Sequence, residues 1–259
     1  MTVISDLREI LVKEIPDMKS IKVESVCLGL GYTGVKLEGG QSGFCHSLIS
    51  EMNLDCCRIL ESAGTLAGKS SKDLLGLAGS WDFSERVIGI ATINALSQIV
   101  FDSKKYDYNI EKENLVNVID IEPDDAIALV GLISPFVPVF RKKAKELFIL
   151  ERGAAREKGM LPDTACEEII PKANIVIITG SALANGTLDR LLQLSSRART
   201  IALVGPTASC LPEPLFERGV NYVGGIRIND TDKAMQVISE GGGTPRLRMA
   251  GEFVTFKAR

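Results

Sequence analysis

Ile175-Val-Ile-Ile-Thr-Gly-Ser-Ala-Leu-Ala-Asn-Gly-Thr-Leu-Asp-Arg-Leu-Leu192 decides the fold. Ile175 to Ile178 form the short unbroken apolar run expected of a strand buried on both faces, and Thr179-Gly180 ends it. A loop of small residues follows. Leu188, Leu191 and Leu192 then recur at helical spacing, with Asn185 or Thr187 available as N-cap and Asp189 in the first turn, where the helix dipole favours an anion. The stretch is thus a strand, a tight glycine-bearing turn and a helix start. In open α/β sheets ligands sit at such junctions, because the turn leaves backbone N–H groups pointing into the crevice. Every α/β protein also has several junctions of this kind at which Asn and Thr only cap a helix.

Working outward, the same alternation fills the second half of the chain. Strands are expected at Ile127 to Ile133, Glu146 to Leu150, Ile175 to Thr179, Thr200 to Val204 and Tyr222 to Gly225. Helices are expected at Phe136 to Lys145, Leu188 to Ser195, Pro214 to Arg218 and Thr231 to Ser239, the last closed by Gly241. Five short apolar strands separated by helices imply a parallel, right-handed, doubly wound sheet, with a further strand in Phe253 to Phe256. Glu151 ends the second of these strands, where an acidic residue commonly accepts from a ribose hydroxyl; a surface pair with Arg152 or Arg156 accounts for it equally well. The turn after the first strand reads Gly131-Leu-Ile-Ser-Pro-Phe, so the G-x-G-x-x-G fingerprint of NAD or FAD sites is missing. A nucleoside-like ligand held without a pyrophosphate cradle stays open.

The first half reads differently. Ile4, Leu7, Ile10 and Leu11 make an amphipathic helix closed by Pro16, and two β runs, Ile21 to Leu30 and Thr33 to Leu37, form an antiparallel hairpin that Phe44 to Leu48 extends. Gly64 to Lys69 has some character of a phosphate loop without its spacing, and Ser70 with Asp73 has the spacing of a capping box for the next helix. Trp81-Asp82-Phe83-Ser84-Glu85 opens a helix for which Ser84 is a good N-cap, and from Val87 to Val100 that helix is apolar almost all round. Asn94 lies in its middle. A buried amide left without a partner costs about 1–3 kcal/mol, so Asn94 either ties down a neighbouring backbone or reaches into a site. The charged stretch 101–122 marks the boundary, giving an α+β unit over 1–110 and an α/β unit over 111–259.

Net charge is −3 with no basic run, which disfavours nucleic acid and a membrane surface as partners. No apolar stretch is long enough to span a bilayer and the N-terminus is not a signal peptide, so a cytoplasmic location is expected. The cysteines at 27, 45, 56, 57, 166 and 210 show no C-x-x-C spacing. His46 is the sole histidine, which excludes sites built from several; beside Cys45 on a strand it points to the opposite face, and a structural role is the simpler expectation.

Gly64-Thr-Leu-Ala-Gly, Ser80-Trp-Asp with Gly89 and Ile93-Asn-Ala, Leu150-Glu-Arg, Ile178-Thr-Gly with Asn185-Gly-Thr-Leu, Leu203-Val-Gly-Pro-Thr, Gly224-Gly and Glu240-Gly-Gly-Gly-Thr together resemble the DUF364 proteins with their preceding DUF4213 region, a family associated with heavy-metal chelation. The chain departs from that pattern at Phe83, where proline is common, and Thr207, where serine is common. The resemblance implies an enolase N-terminal-like α+β domain followed by a Rossmann-like domain, with the site between them. It further implies metal chelation, or condensation or hydrolysis in pterin, flavin, cobalamin or siderophore-type chelator synthesis, and carries over no catalytic residue.

Two functions follow as expectations. In one, an enzyme transforms a small metabolite in the interdomain cleft, with Lys69, Asp82 or Glu85 as acid or base and Thr65, Asn94, Glu151, Thr179, Gly180, Asn185, Gly186, Thr187, Gly205, Pro206 and Thr207 as ligand contacts. In the other, a non-catalytic protein binds a heavy metal or a metal chelate, through oxygen ligands or ligands the small molecule brings. Cofactor identity stays open between a metal ion and a nucleoside-like ligand, and a homodimer is expected.

Overall fold

The computed structural model describes residues 1–52, 59–111, 115–153 and 157–259. Helix α1 (Val3–Glu14) begins where the Thr2 hydroxyl accepts from the Ser5 amide, and it buries Val3, Ile4, Leu7 and Leu11 on one face. Strands β1 (Val23–Leu28), β2 (Tyr32–Leu37) and β3 (Ser42–His46) form an antiparallel meander in that order. Helix α2 (Ser71–Gly76) starts at Ser70, whose hydroxyl accepts from the Asp73 amide as the capping-box spacing predicts.

Helix α3 (Phe83–Asp102) is the centre of the molecule. Its N-cap is Asp82, whose carboxylate accepts from the Glu85 amide; Ser84, the residue expected to cap, is buried one residue inside the helix. Its apolar surface all round is explained by what surrounds it: α1 and α2 on one side, β2 and β3 on another, and the second sheet beyond. Strand β3 lies directly on the α3 backbone, and a Cβ at Gly43 would fall well inside 3.0 Å of the Ala91 carbonyl and the Ala95 amide.

The rest of the chain builds the larger sheet. Its elements in chain order are β4 (Ile110–Glu111), α4 (Leu115–Val118), β5 (Ala126–Val130), α5 (Val137–Lys143), β6 (Glu146–Glu151), β7 (Leu161–Pro162) and α6 (Cys166–Ile169). Then come β8 (Ile175–Thr179), α7 (Ser181–Ala184), α8 (Leu188–Leu194), β9 (Thr200–Val204), α9 (Glu213–Phe216), β10 (Tyr222–Ile228), α10 (Thr231–Ser239), α11 (Thr244–Leu247) and β11 (Gly251–Lys257).

Among the described residues this sheet has eight strands in the order β4-β11-β10-β9-β8-β5-β6-β7. The strands from β10 to β7 are mutually parallel, while β11 is antiparallel to β10 and β4 antiparallel to β11. The expected all-parallel five-stranded sheet is therefore extended at both edges, by the two-residue β7 and by the antiparallel pair. Ile110, inside the stretch expected to separate the two units, pairs with Phe256, and Phe101 and Tyr108 pack on the Phe256 ring.

The run at 175–178 is unbroken because the sheet is covered on both faces. Val176 and Ile178 join the core shared with α1 and α3, while Ile175 and Ile177 join a second core with Phe136 and Phe140. All four are fully buried, each contributing about 1.5–3 kcal/mol of apolar burial. Helix α10 crosses back to cover the outer face of the small sheet, packing Ala234, Val237 and Ile238 against Tyr32 and Phe44. The two halves of the chain thus interlock. Among the described residues no helix is long and apolar enough to cross a membrane.

Candidate functional site between the two sheets

Strand order reverses at β5, with β6 on one side and β8 on the other, so the chain leaves the neighbouring strand ends in opposite directions and opens a crevice. Its floor is formed by Gly131 after β5, Glu151 at the end of β6, Thr179-Gly180 after β8 and Gly205 after β9. Gly131, Gly186 and Gly205 have φ of +85°, +76° and +125°, a backbone that side-chain-bearing residues rarely adopt. The end of β3 and the first turn of α3 face these turns.

Thr207 and Asn94 fasten the two sides. The His46 amide donates to Thr207 Oγ1 at 2.9 Å, and Asn94 Nδ2 donates to the Phe44 carbonyl at 2.8 Å and the Thr207 carbonyl at 3.0 Å. Asn94 and Thr207, both expected as ligand contacts, are buried and hold β3 against the turn after β9. Pro206 opens that turn and is buried in it.

The other expected contacts are occupied as follows. Both Glu151 carboxylate oxygens accept backbone amides, Oε2 from Leu132 at 2.5 Å and Oε1 from Arg152 at 2.9 Å, so this side chain shapes the loop after β5. The pair expected between Glu151 and a guanidinium goes elsewhere: Arg152 joins Glu51 at 3.2 Å and Asp163 at 3.6 Å, tying the small-sheet side to the larger one. Arg156 lies outside the described residues, as do Cys56 and Cys57. Asn185 Oδ1 accepts from both the amide and the hydroxyl of Thr187, so the two side chains form a local turn and Thr187 does not cap α8. Asp189 accepts the Val3 amide, and the Thr179 hydroxyl donates weakly to Ser181. The Gly180 and Gly205 amides donate to the Val204 and Gly224 carbonyls.

Of the expected acids and bases, Asp82 and Glu85 stand together at the start of α3 and Lys69 stands apart. Lys69 accepts the Val23 amide through its carbonyl at the start of β1. His46 pairs with Tyr32 at the other end of the same meander, where Val23 stands opposite Leu37, so Lys69 is not brought to the crevice. The Thr65 hydroxyl closes its own turn onto the Ser62 carbonyl. Asp82 caps α3, and Glu85 accepts the Ser80 hydroxyl at 2.6 Å. Both carboxylates organise the helix start, a role their sequence positions in the first turn already suit.

Two groups that motif reasoning passed over stand at the junction. His46 is largely buried and its Nδ1 has no hydrogen-bond partner among the described residues. Burial pushes its pKa below the usual histidine value, and the nearby Glu151 carboxylate only partly opposes this, so the ring is neutral at pH 7. Arg86, in the first turn of α3, is half-buried. Its Nη1 reaches the Ser80 carbonyl at 3.4 Å and its buried Nε has no partner among the described residues; Asp189 acts on it electrostatically without forming an ion pair. A Cβ on Gly186 would stand 3.2 Å from Arg86 Nη2, so the guanidinium lies against this turn, where the φ of +76° favours glycine. A charge one residue before an all-apolar helix run was the available sequence signal for Arg86.

The His46 shift carries a pH dependence. Its folded pKa is depressed, so below the unfolded value of about 6.5 the unfolded chain takes up a proton that the folded one refuses. Stability from this group is fully present above that pH and is lost as pH falls below it. Thermal melts of the wild type and His46→Gln from pH 8 to 5 should therefore run parallel down to about pH 7, with the wild type falling more steeply below. Parallel curves throughout would show that the ring is not desolvated.

Two surface cavities, of 360 and 400 Å³, lie around Met18 and Lys72 and around Lys22, Glu38 and Gln41. None of the crevice residues lines them. Among the described residues no three His, Cys, Asp or Glu side chains converge as a metal-binding group.

A family model, DUF364, described as "Putative heavy-metal chelation", matches residues 114–257, and DUF4213, with the same description, matches residues 11–97. An uncharacterized protein from Methanocaldococcus jannaschii is 34% identical over 169 residues, an alignment covering 64% of this chain and 64%, slightly under two thirds, of that relative. A solved structure of a DUF364-family protein of unknown function from Pyrococcus horikoshii superposes with a TM-score of 0.85 at 23% identity, covering 99% of this chain and 100% of that one. Another, from Desulfitobacterium hafniense DCB-2, gives 0.78 at 25% identity over 98% of each chain.

Proposed function

The chain belongs to the DUF364 family, and from that premise we propose that it binds a small anionic metabolite in the crevice between its two sheets and transforms it there. The observation that carries this is the pair of buried, unengaged nitrogens, Arg86 Nε and His46 Nδ1, held over the strand ends. A half-desolvated guanidinium without a carboxylate offers charge-assisted hydrogen bonds to a carboxylate or phosphate. The neutral His46 imidazole, which lies near Glu151, would be a general base for condensation or hydrolysis of the kind the family resemblance implies. The strand order β7-β6-β5-β8-β9-β10, reversing at β5, supports a Rossmann-like assignment of the larger unit, and the helix with its three-stranded meander supports an enolase N-terminal-like one for the smaller.

The second reading is a non-catalytic protein that binds a metal chelate. The described residues do not fit a resident transition-metal centre: His46 has no second nitrogen or sulfur donor converging with it, and both Glu151 oxygens already hold backbone amides. A metal complex bringing its own ligands and an anionic edge to Arg86 fits better.

Native mass spectrometry and metal analysis of the same purified sample separate the readings. A stoichiometric organic adduct lost in Arg86→Gln, with the melting temperature kept, is the expected result. A stoichiometric metal that survives Arg86→Gln but leaves on replacing His46, or Cys56 and Cys57, would put metal binding first.

A further inference from the structure

Trp81, the only tryptophan in the chain, is 93% exposed. Only the N-terminal methionine is comparably exposed among the large apolar side chains described, and Leu30, the next away from that end, is 75% exposed. Tryptophan is the largest apolar side chain, and leaving it in water forfeits the burial that normally recruits it to a core.

Its position is built. The Ser80 hydroxyl donates to Glu85 at 2.6 Å and accepts the Asp82 amide at 3.1 Å, the Ser80 amide is bonded to the Leu77 carbonyl, and Asp82 caps α3. The ring is therefore presented from a turn fixed on both sides. The same turn supplies the carbonyl that Arg86 Nη1 contacts, and the carbon of that carbonyl is bonded to the Trp81 nitrogen. The indole thus stems from the residue next to the carbonyl that this guanidinium touches through Nη1, while the Nε of the same group has no partner among the described residues.

We propose that Trp81 stacks on the ligand of the crevice, whose class is a planar, conjugated anion with its carboxylate or phosphate on Arg86. This rests on the anion-binding reading above and narrows its substrate class. A flat π-system offers the exposed indole face the offset stacking that an aliphatic anion of equal charge cannot. A guanidinium, itself planar and weakly hydrated, matches the in-plane oxygens of a carboxylate at the edge of such a ring. Without ligand the indole has no partner among the described residues, which accounts for its exposure.

Isophthalate and glutarate test this, since both are dicarboxylates with a three-carbon spacing between carboxyl groups and only one is a flat ring. Because Trp81 is the sole tryptophan, fluorescence excited beyond the tyrosine absorption band reports on it alone. Isophthalate should quench it saturably, and calorimetry should give isophthalate about tenfold or more tighter binding than glutarate, as expected for one aromatic stack. Trp81→Ala should erase that difference by weakening isophthalate alone, Trp81→Phe should restore most of it, and Arg86→Gln should weaken both anions. Trp81→Ala should melt with the wild type, because the ring supports nothing in the fold.

Equal affinity for the two anions, unchanged isophthalate binding in Trp81→Ala, or no binding of either at millimolar concentration would overturn the stacking assignment. If Arg86→Gln weakens both anions while Trp81→Ala weakens neither, the anion site stands and only the stack is removed. If Arg86→Gln changes nothing, the anion site goes as well. An emission maximum that shifts with protein concentration alone would place the indole between copies of the chain and also overturn the proposal.

Discussion

Gly43→Ala is expected to lose about 4 kcal/mol or more of stability, beyond the usual range for a single substitution, and the melting temperature should fall by roughly 10 °C or more. The added methyl group meets backbone on the central helix, the Ala91 carbonyl and the Ala95 amide, and neither can turn aside as a side-chain end would. Relief requires β3 to lift off α3, which would move His46 three residues along the strand and break the Asn94 hydrogen bond to Phe44 next to it. Gly76→Ala is the control: no atom stands within 4 Å of its Cβ position and its φ is negative, so the change should be neutral or stabilise by up to about 1 kcal/mol. Thermal melts of the two variants decide the matter, and a Gly43→Ala protein melting within a degree or two of wild type would mean that the strand does not rest on the helix backbone.

The second large effect belongs to Asn94. Asn94→Ala strips two buried carbonyls, those of Phe44 and Thr207, of their donor, at about 1–3 kcal/mol for each group left unsatisfied. A total near 3 kcal/mol is expected in urea unfolding. The readout specific to the junction is hydrogen exchange at the His46 amide, which is bonded to Thr207 Oγ1 and should exchange faster than amides in the body of the large sheet. Unchanged unfolding midpoint and unchanged exchange would show that Asn94 does not bind the two sides together. Its own Oδ1 is buried without a partner in the described protein, so Asn94→Asp is no rescue: it would place a charge where only an unmet acceptor stands.

The larger sheet was legible because its signals are local. Ile175 to Ile178 announce a doubly covered strand by composition alone, and the turn residues Gly180, Gly205 and Gly219 punctuate the alternation at the right spacing. Strand β7 was not legible, since two residues make no pattern, and neither was β4, since Ile110 becomes a strand only by pairing with Phe256 far along the chain. The same limit governs the crevice. The turns at 179–187 and 205–207 could be placed because each follows a strand, but whether Asn185 faces a ligand or Thr187 depends on side-chain geometry that a short loop does not encode. His46 was rightly placed on a strand with Cys45 on the opposite face; that its face meets Glu151 and Thr207 depends on how the two sheets stack. Asp82 outcompeted Ser84 as cap because both types cap well and the choice turns on where the chain enters the helix.

The return of α10 over the small sheet sets an order of events during synthesis. Tyr32, Gly34 and Phe44 leave the ribosome well before the side chains that cover them, Ala234, Val237 and Ile238, a delay on the order of ten seconds at typical elongation rates. Through that interval the nascent meander carries one bare apolar face and cannot settle as an independent module. The segment matched at 11–97 is thus, in the life of a single polypeptide, a half-finished surface waiting for the distant stretch that forms α10.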